Sequence, residues 1–481
     1  MRTEAFIDGR FVPAADGRTF DDLAPRDGEV LAAVARGGAA DVDRAVGAAR
    51  RAFERGGWAL SAPRERGRVL LRLASLIEEH LDELAGLESA DAGHPIGDAR
   101  SVDVPGARDC FAWYGEAIDK LYGEIAPTGP EALALIVRRP LGVIGAVVPW
   151  NYPLIISAWK LAPALAAGNS VVLKPAEQTP LTALALAELA AAAGVPDGVL
   201  NVVPGFGEEA GEALGRHLDV DKIAFTGSVA VGRRFLRYAG ESNGKGVSLE
   251  LGGKTPHVVL SDVPDLDAAV QAIGWGIFYN AGQTCHAGSR VVVAQERAEE
   301  VSERLVAFAS ALTPGDPQLR ETRLGPLIAE PHLDGVLERV RRAAERESVR
   351  LLVGGERTAP VPGGYYMRPT VVQAEDPADE IVQEEVFGPV LAIQPAHDLD
   401  DAVALANGTP YGLAAAVWSS DVTRAHRLAA ALRAGTVWVN TFDASSLATP
   451  FGGVRASGHG RDRSLHALET YTYLKTTWIG L

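Results

Sequence analysis

Cysteine and methionine are nearly absent from this chain, with two of each in 481 residues. So few thiols exclude a disulfide-held scaffold and fit a reducing compartment. No C-x-x-C, no H-E-x-x-H and no Cys/His cluster occurs, so no metal site is expected. Positive charge is short as well: 46 Lys and Arg stand against 62 Asp and Glu, a net of −16. That balance argues against nucleic acid, which calls for a basic stripe, and against an anionic membrane surface. No apolar run reaches the ~18 residues of a membrane span; Leu141–Trp150 comes nearest and is too short. The stretch Met1–Asp8 lacks the apolar segment of a signal peptide, so the cytoplasm is the expected location. Internal repeats and low-complexity segments are missing too.

What is present is long enough for two or three domains. Val42, Ala45, Val46, Ala49, Ala52 and Phe53 recur at helical spacing, and Gly56-Gly57 ends that helix. A second helix is expected from Ser61, with Pro63 in its first turn and Leu70, Leu73, Ala74, Ile77, Leu81 and Leu84 along one face. From Leu141 short apolar runs alternate with helices. The runs are Val143–Val148, Ser170–Leu173, Leu200–Val203, Lys222–Phe225 and Val247–Leu251. Such alternation predicts βαβ units and a parallel sheet buried on both faces. Ligands of these sheets bind beyond the carboxyl ends of the strands, where Trp150-Asn151, Lys174, Gly205, Gly207 and Gly227-Ser228 fall. A second α/β pattern starts after Gly253 with His257–Leu260, Arg290–Val293, Thr370–Val372 and Val437–Val439. Tyr471–Ile479 reads as a terminal strand, which either pairs with another subunit or forms an edge of its own domain.

Cys285, in Gly282-Gln283-Thr284-Cys285-His286-Ala287-Gly288, is either a nucleophile or a small buried hydrophobe. The flanking glycines would leave room for a substrate and for backbone N–H groups. His286 is set aside as its base, because adjacent side chains in regular structure point apart. Phe225-Thr226-Gly227-Ser228 should lead a strand into a helix whose N-terminus favours phosphate, or be a plain tight turn; the G-x-G-x-x-G fingerprint is not met. Lys174 and Glu177 suit ribose hydroxyls, or simply a solvated strand end. Glu250, ending an apolar strand, would have a raised pKa and activate water, or bind nearby backbone. Pro149-Trp150-Asn151-Tyr152-Pro153 makes a rigid turn in which Asn151 offers an N–H to a developing oxyanion.

In order and spacing these pieces, with Glu385–Pro389, Trp438-Val439-Asn440 and Pro450–Gly453, resemble the aldehyde dehydrogenase superfamily from end to end. The resemblance implies an α/β fold: a variant Rossmann NAD-binding domain (1–121 and 141–252), an α/β catalytic domain (253–456) and a small β oligomerisation arm (122–140 and 472–481). It implies a homodimer or homotetramer. By match, Cys285 attacks the aldehyde, Asn151 holds the oxyanion, Glu250 activates water, and Lys174 joins the catalytic set. Val148, Trp150, Lys174, Glu177, Gly207, Gly227, Ser228, Val231, Leu251, Glu385 and Phe387 would contact the cofactor. NAD is expected rather than NADP, because Glu177 would repel a 2′-phosphate.

The tail Gly460–Glu469 with Tyr471, Leu474 and Thr477-Trp478-Ile479 most resembles bacterial aminoaldehyde dehydrogenases. Tyr152, Trp159, Tyr279 and Phe451 would line an aromatic entrance for a cationic or apolar tail. Those relatives carry an acidic residue before Pro-Phe-Gly-Gly where this chain has Ser446, so neutral aliphatic or aromatic aldehydes also remain open. A CoA-acylating dehydrogenase and a cofactor-independent thiol esterase are the alternative activities. Glu250 weighs against the first.

Overall fold

The computed structural model describes residues 1–481. Its first sheet has seven strands. Five are parallel, in the order Gly246–Leu251, Lys222–Gly227, Val143–Val147, Ser170–Lys174, Leu200–Val202. The antiparallel hairpin Ala5–Ile7 and Arg10–Val12 extends it beyond Leu200–Val202. Val143–Val147 and Ser170–Lys174 are buried at every position, as expected of a sheet covered on both faces. One face carries helix Ala39–Arg55, whose Val42, Ala45, Val46 and Ala49 pack with Val143, Val172 and Phe225. The other carries Pro63–Glu79, Val104–Ala117, Pro153–Ala167 and Leu181–Ala193 around the largest apolar core.

The expected strands all occur, shifted by a residue or two at their ends. One helix expectation is corrected. The helix from Pro63 stops at Glu79, and Leu81 opens a new helix, Leu81–Ala92. At the break His80 has φ −104° and ψ 21°; its ring Nδ1 and its amide both lie against the Leu76 carbonyl, at 2.9 and 3.1 Å. The apolar periodicity runs straight through this junction, so Leu84 stays buried although the helix does not continue.

Residues Gly252–Thr255 carry the chain from the first sheet to the second. The second runs Val349–Val353, Thr370–Ala374, Val390–Ala396, Arg290–Ala294, Pro256–Val259, Ala414–Trp418, Thr436–Val439, parallel except for its first pair. Thr472–Gly480 pairs antiparallel with Ala132–Pro140 over nine residue pairs, and Glu124–Ala126 completes a three-stranded arm. The terminal strand is thus an edge strand within its own chain. It leaves Leu474 and Trp478 exposed, as are Tyr122 and Ile125 nearby in the arm. No helix is long and apolar enough to cross a membrane.

Candidate active site

In the first sheet the strand order reverses between Val143–Val147 and Lys222–Gly227. Chain leaving the carboxyl ends of those neighbours diverges, and a crevice opens between them. A cavity of about 220 Å³ sits there. Trp150 and Asn151 enter it from the first strand, Gly227 and Ser228 from the second, and Glu250 and Leu251 from the third. The second sheet's side closes it with Cys285, Glu385, Phe387 and Leu413, and the tail adds Phe451 and Asp462.

Cys285 is half-buried and reduced. It follows three successive residues in left-handed conformation: Asn280 (φ 49°), Ala281 (φ 51°) and Gly282 (φ 72°). A non-glycine residue held there costs on the order of 1–3 kcal/mol, which the surroundings must offset. Asn280 Nδ2 donates to the Asn151 carbonyl (3.0 Å), and Gln283 Oε1 accepts from Ile328 N (2.9 Å). The flanking glycines have reasons other than substrate room, which corrects the sequence expectation. A Cβ on Gly282 would lie 2.1 Å from the Gly388 carbonyl oxygen, and one on Gly288 would lie 2.0 Å from the His257 ring. Both serve close packing behind the Cys285 loop.

Asn151 is bolted to that loop. Its Nδ2 donates to the Gln283 carbonyl (2.8 Å), which leaves its second amide hydrogen free of a protein acceptor. Its own carbonyl also accepts from His94 Nε2 (2.8 Å), and His94 Nδ1 meets Asp103 at 2.7 Å. Burial alone would lower the His94 pKa, but Asp103 outweighs it and raises it to about 9. Protonated His94 donates on both sides. Glu88 joins His94 and Asp103 in a buried group whose ligand atoms lie within 4.8 Å of one another. No spacing motif announced that cluster. Glu88 accepts from the Leu154 amide (3.3 Å), at the start of the helix that follows Asn151.

Glu250 is 3% exposed, and neither carboxylate oxygen makes a hydrogen bond. Burial, then the charge of Asp462, raises its pKa well above the carboxylate range, against Lys160 and Arg461. The glycines of the tail make its space: a Cβ on Gly460 or Gly452 would stand 2.6 or 2.7 Å from Glu250 Oε1. Beside it lies a buried pair, Lys160 Nζ to Asp462 Oδ2 at 2.6 Å. No local signal marks this pair, whose members are 302 residues apart.

Of the expected cofactor residues, Trp150, Gly227, Ser228, Leu251, Glu385 and Phe387 line the cavity, whereas Val148, Lys174, Glu177, Gly207 and Val231 lie outside its wall. Ser228 caps helix Val229–Gly240, its Oγ accepting from Val231 N. Lys174 Nζ pairs with Glu177 Oε2 at 3.0 Å; burial lowers the lysine pKa and Glu177 opposes this. Glu385 accepts from Gly253 N (3.1 Å) and crosses Gly252 so closely that a Cβ there would meet Oε2 at 1.9 Å. Burial pushes its pKa up to about 7, against the Gly253 amide and the charges of Lys254 and Arg339. Phe387 is held at φ 59° and meets Trp150 edge-on at 5.2 Å.

Of the four aromatics expected at the entrance, Trp159 and Phe451 line the cavity with ring centroids 5.6 Å apart. Tyr152 and Tyr279 do not. The Tyr152 hydroxyl bonds Thr284 Oγ1 (2.7 Å), and the Tyr279 hydroxyl is buried without a partner. Arg463, missed in the sequence, places its guanidinium 4.8 Å from the Trp159 ring centre and 4.9 Å from that of Phe451. Ser446 only braces its own loop, its Oγ accepting from Ala448 N. Asp443 turns at φ 58° and reaches His286 Nε2 (3.0 Å). His286 Nδ1 in turn lies 3.8 Å from Cys285 Sγ. The two neighbours are not in regular structure, so the expectation that they point apart fails.

A cysteine on a strained loop, an amide and an unpartnered carboxyl facing one crevice define the site of a thiol enzyme built on a dinucleotide-type sheet. The sequence matches the aldehyde dehydrogenase family over residues 11–477, and the chain belongs to that family. It is 49% identical to the NADP/NAD-dependent aldehyde dehydrogenase PuuC of Escherichia coli, over 100% of this chain and 96% of that protein. It is 50% identical to an aminoacetaldehyde dehydrogenase of Pseudomonas aeruginosa, over 99% and 95%. Among solved structures, it resembles a gamma-glutamyl-gamma-aminobutyraldehyde dehydrogenase of Burkholderia cenocepacia with TM-score 0.98 and 53% identity, covering 100% and 97%. An indole-3-acetaldehyde dehydrogenase in complex with NAD⁺ matches with TM-score 0.98 at 47% identity, over 100% and 97%.

Proposed function

We propose that the chain oxidises an aldehyde to a carboxylate with NAD, through a covalent intermediate on Cys285. The carrying observation is that Cys285, Asn151 and Glu250 face one cavity at the point where the strand order reverses. The donor set fits a dinucleotide. A capped 12-residue helix opens at Ser228 toward the cavity, which suits phosphate. Gly252 leaves the Glu385 carboxylate no obstacle to lying across the strand exit, where a ribose hydroxyl would find an acceptor. Lys174 and Glu177 stand at the end of the adjacent strand for the second ribose.

Cys285 Sγ attacks the aldehyde carbon. The oxyanion accepts hydrogen bonds from the free Asn151 amide hydrogen and the Cys285 backbone N–H. NAD, when bound, supplies the hydride acceptor. Loss of hydride leaves a thioester on Cys285. Glu250 then takes a proton from water, the water oxygen attacks the thioester carbon, and the thiolate leaves. A desolvated carboxyl of raised pKa suits this task. It becomes the competent base as pH rises, so thioester hydrolysis quickens toward alkaline pH.

The tail of the substrate meets Trp159 and Phe451, against whose rings the Arg463 guanidinium lies. Two of the most similar relatives act on aminoaldehydes by name, yet the group nearest the rings here is a cation. Uncharged aromatic or aliphatic aldehydes therefore suit this pocket at least as well as aminoaldehydes. We place the cofactor domain at 1–121 and 141–252, the catalytic domain at 253–456 and the arm at 122–140 and 472–481. The arm's exposed apolar edge suits a homodimer or homotetramer, and the cysteine-poor, acidic chain suits the cytoplasm. NADH formation across aliphatic, aromatic and aminoaldehyde panels, with NAD and NADP, tests the proposal. We expect NAD-dependent turnover and a higher kcat/KM with NAD. Ester hydrolysis as the main activity, unaffected by NAD, would refute it.

A further inference from the structure

Cys285 Sγ, His286 and Asp443 form a chain of contacts: 3.8 Å from sulfur to Nδ1, then 3.0 Å from Nε2 to Asp443 Oδ1. The aldehyde oxidation derived above needs no histidine, so this relay is left unused. We propose that Asp443 and His286 are a positioning pair that keeps Cys285 as a thiolate, as half of an imidazolium–thiolate pair, before substrate binds. The proposal rests on Cys285 being the nucleophile.

The proton balance is simple. The thiol proton passes from Sγ to His286 Nδ1, while the Nε2–H stays donated to Asp443. Carbonyl attack then starts from the anion. When the thioester is hydrolysed, the thiolate returns to the same imidazolium. Asp443 fixes which nitrogen faces sulfur, because Nε2–H must point at its carboxylate and Nδ1 is left for Cys285.

The remaining walls of the imidazole are rings: Trp438, Phe442 and Phe451, with centroids 5.9, 6.2 and 5.6 Å away. They cover the imidazole, which is 15% exposed, and so strengthen its attraction to its partners. The charged and titratable groups around it are Cys285, Asp443, Arg463 and Tyr152. Arg463 acts on Asp443, so a second cation favours its carboxylate. The Tyr152 hydroxyl is held by Thr284, and burial raises its pKa, so it stays neutral. Burial alone would lower the His286 pKa, but the charge and hydrogen bond of Asp443, with Cys285, raise it to about 10. The imidazolium thus persists across the working range.

The test is alkylation of the full enzyme by iodoacetamide, without NAD, from about pH 5 to about pH 9.5, with Cys285 labelling read by mass spectrometry. An ordinary thiol titrates near ~8.5. The wild-type rate should hold its plateau to at least one unit below that. His286→Asn should move the midpoint up by a unit or more, slowing alkylation about tenfold near pH 6.5 while leaving the alkaline limit unchanged. Asp443→Asn should shift it the same way by less, because Asp443 is 59% exposed and water screens part of its charge. Ser446→Ala, in the same loop, should titrate as wild type. A His286→Asn profile superimposable on wild type overturns the proposal. Should that variant fail to fold, Asp443→Asn decides alone, and an unshifted midpoint there overturns it. The nucleophile assignment is judged separately: turnover surviving Cys285→Ala would overturn it whatever the alkylation profile.

Discussion

The two cysteines occupy opposite kinds of site. Cys110 lies in helix Val104–Ala117, is 0% exposed, and packs among Phe111, Leu161 and the other apolar groups of the largest core. Burial, then the charge of Asp462, pushes its thiol far above the usual range, and Arg463 only partly opposes this. Cys285 follows a left-handed turn, half-buried at the cavity, with an imidazole beside it. The side chain is the same. Backbone conformation and neighbours make one a core filler and give the other the setting of the proposed nucleophile.

The largest way to sharpen that contrast is Cys285→Ala. NADH formation should fall on the order of 10⁴-fold or more, with the fold intact by circular dichroism. Glu250→Gln comes next: steady-state turnover should fall on the order of 10²–10⁴-fold, while a burst of NADH matching the active-site concentration survives. Its pH–rate profile should also lose the rise toward alkaline pH. Asn151→Ala should cost on the order of 10²–10³ in kcat; an unchanged kcat would remove Asn151 from the oxyanion site. Gly282→Ala would force a Cβ into the Gly388 carbonyl and should destabilise by about 1–3 kcal/mol, read as a lower melting temperature. The smallest effect belongs to Cys110→Ala. It should cost about 1 kcal/mol of stability and leave kcat/KM as in wild type. Lost turnover in that variant would break the comparison.

Much of the framework was legible because local signals carry it. Buried parallel strands are continuous apolar runs, so Val143–Val147 and Ser170–Lys174 could be read directly. The break at His80 could not, since neither glycine nor proline interrupts the periodicity there. Glu250 stood out as a carboxylate ending an apolar strand. Its neighbours Lys160 and Asp462 did not, because their pairing exists only once distant segments meet. His286 was misjudged on the assumption of regular backbone. No sequence signal points to Asp443, whose direction depends on its own left-handed backbone in a loop. The glycines beside Cys285 were seen, but what they make room for lies on other segments.

Asp462 and Phe451 form part of the cavity wall, and the helix Ser464–Thr470 seats Ala467 and Leu468 in the core of the first sheet. During synthesis, the segments bearing Asn151, Glu250 and Cys285 all leave the ribosome before these residues exist. A growing chain therefore carries its reactive sulfur without the wall that shapes the pocket, and chemistry can begin only after the final α/β segments have wrapped back onto the first.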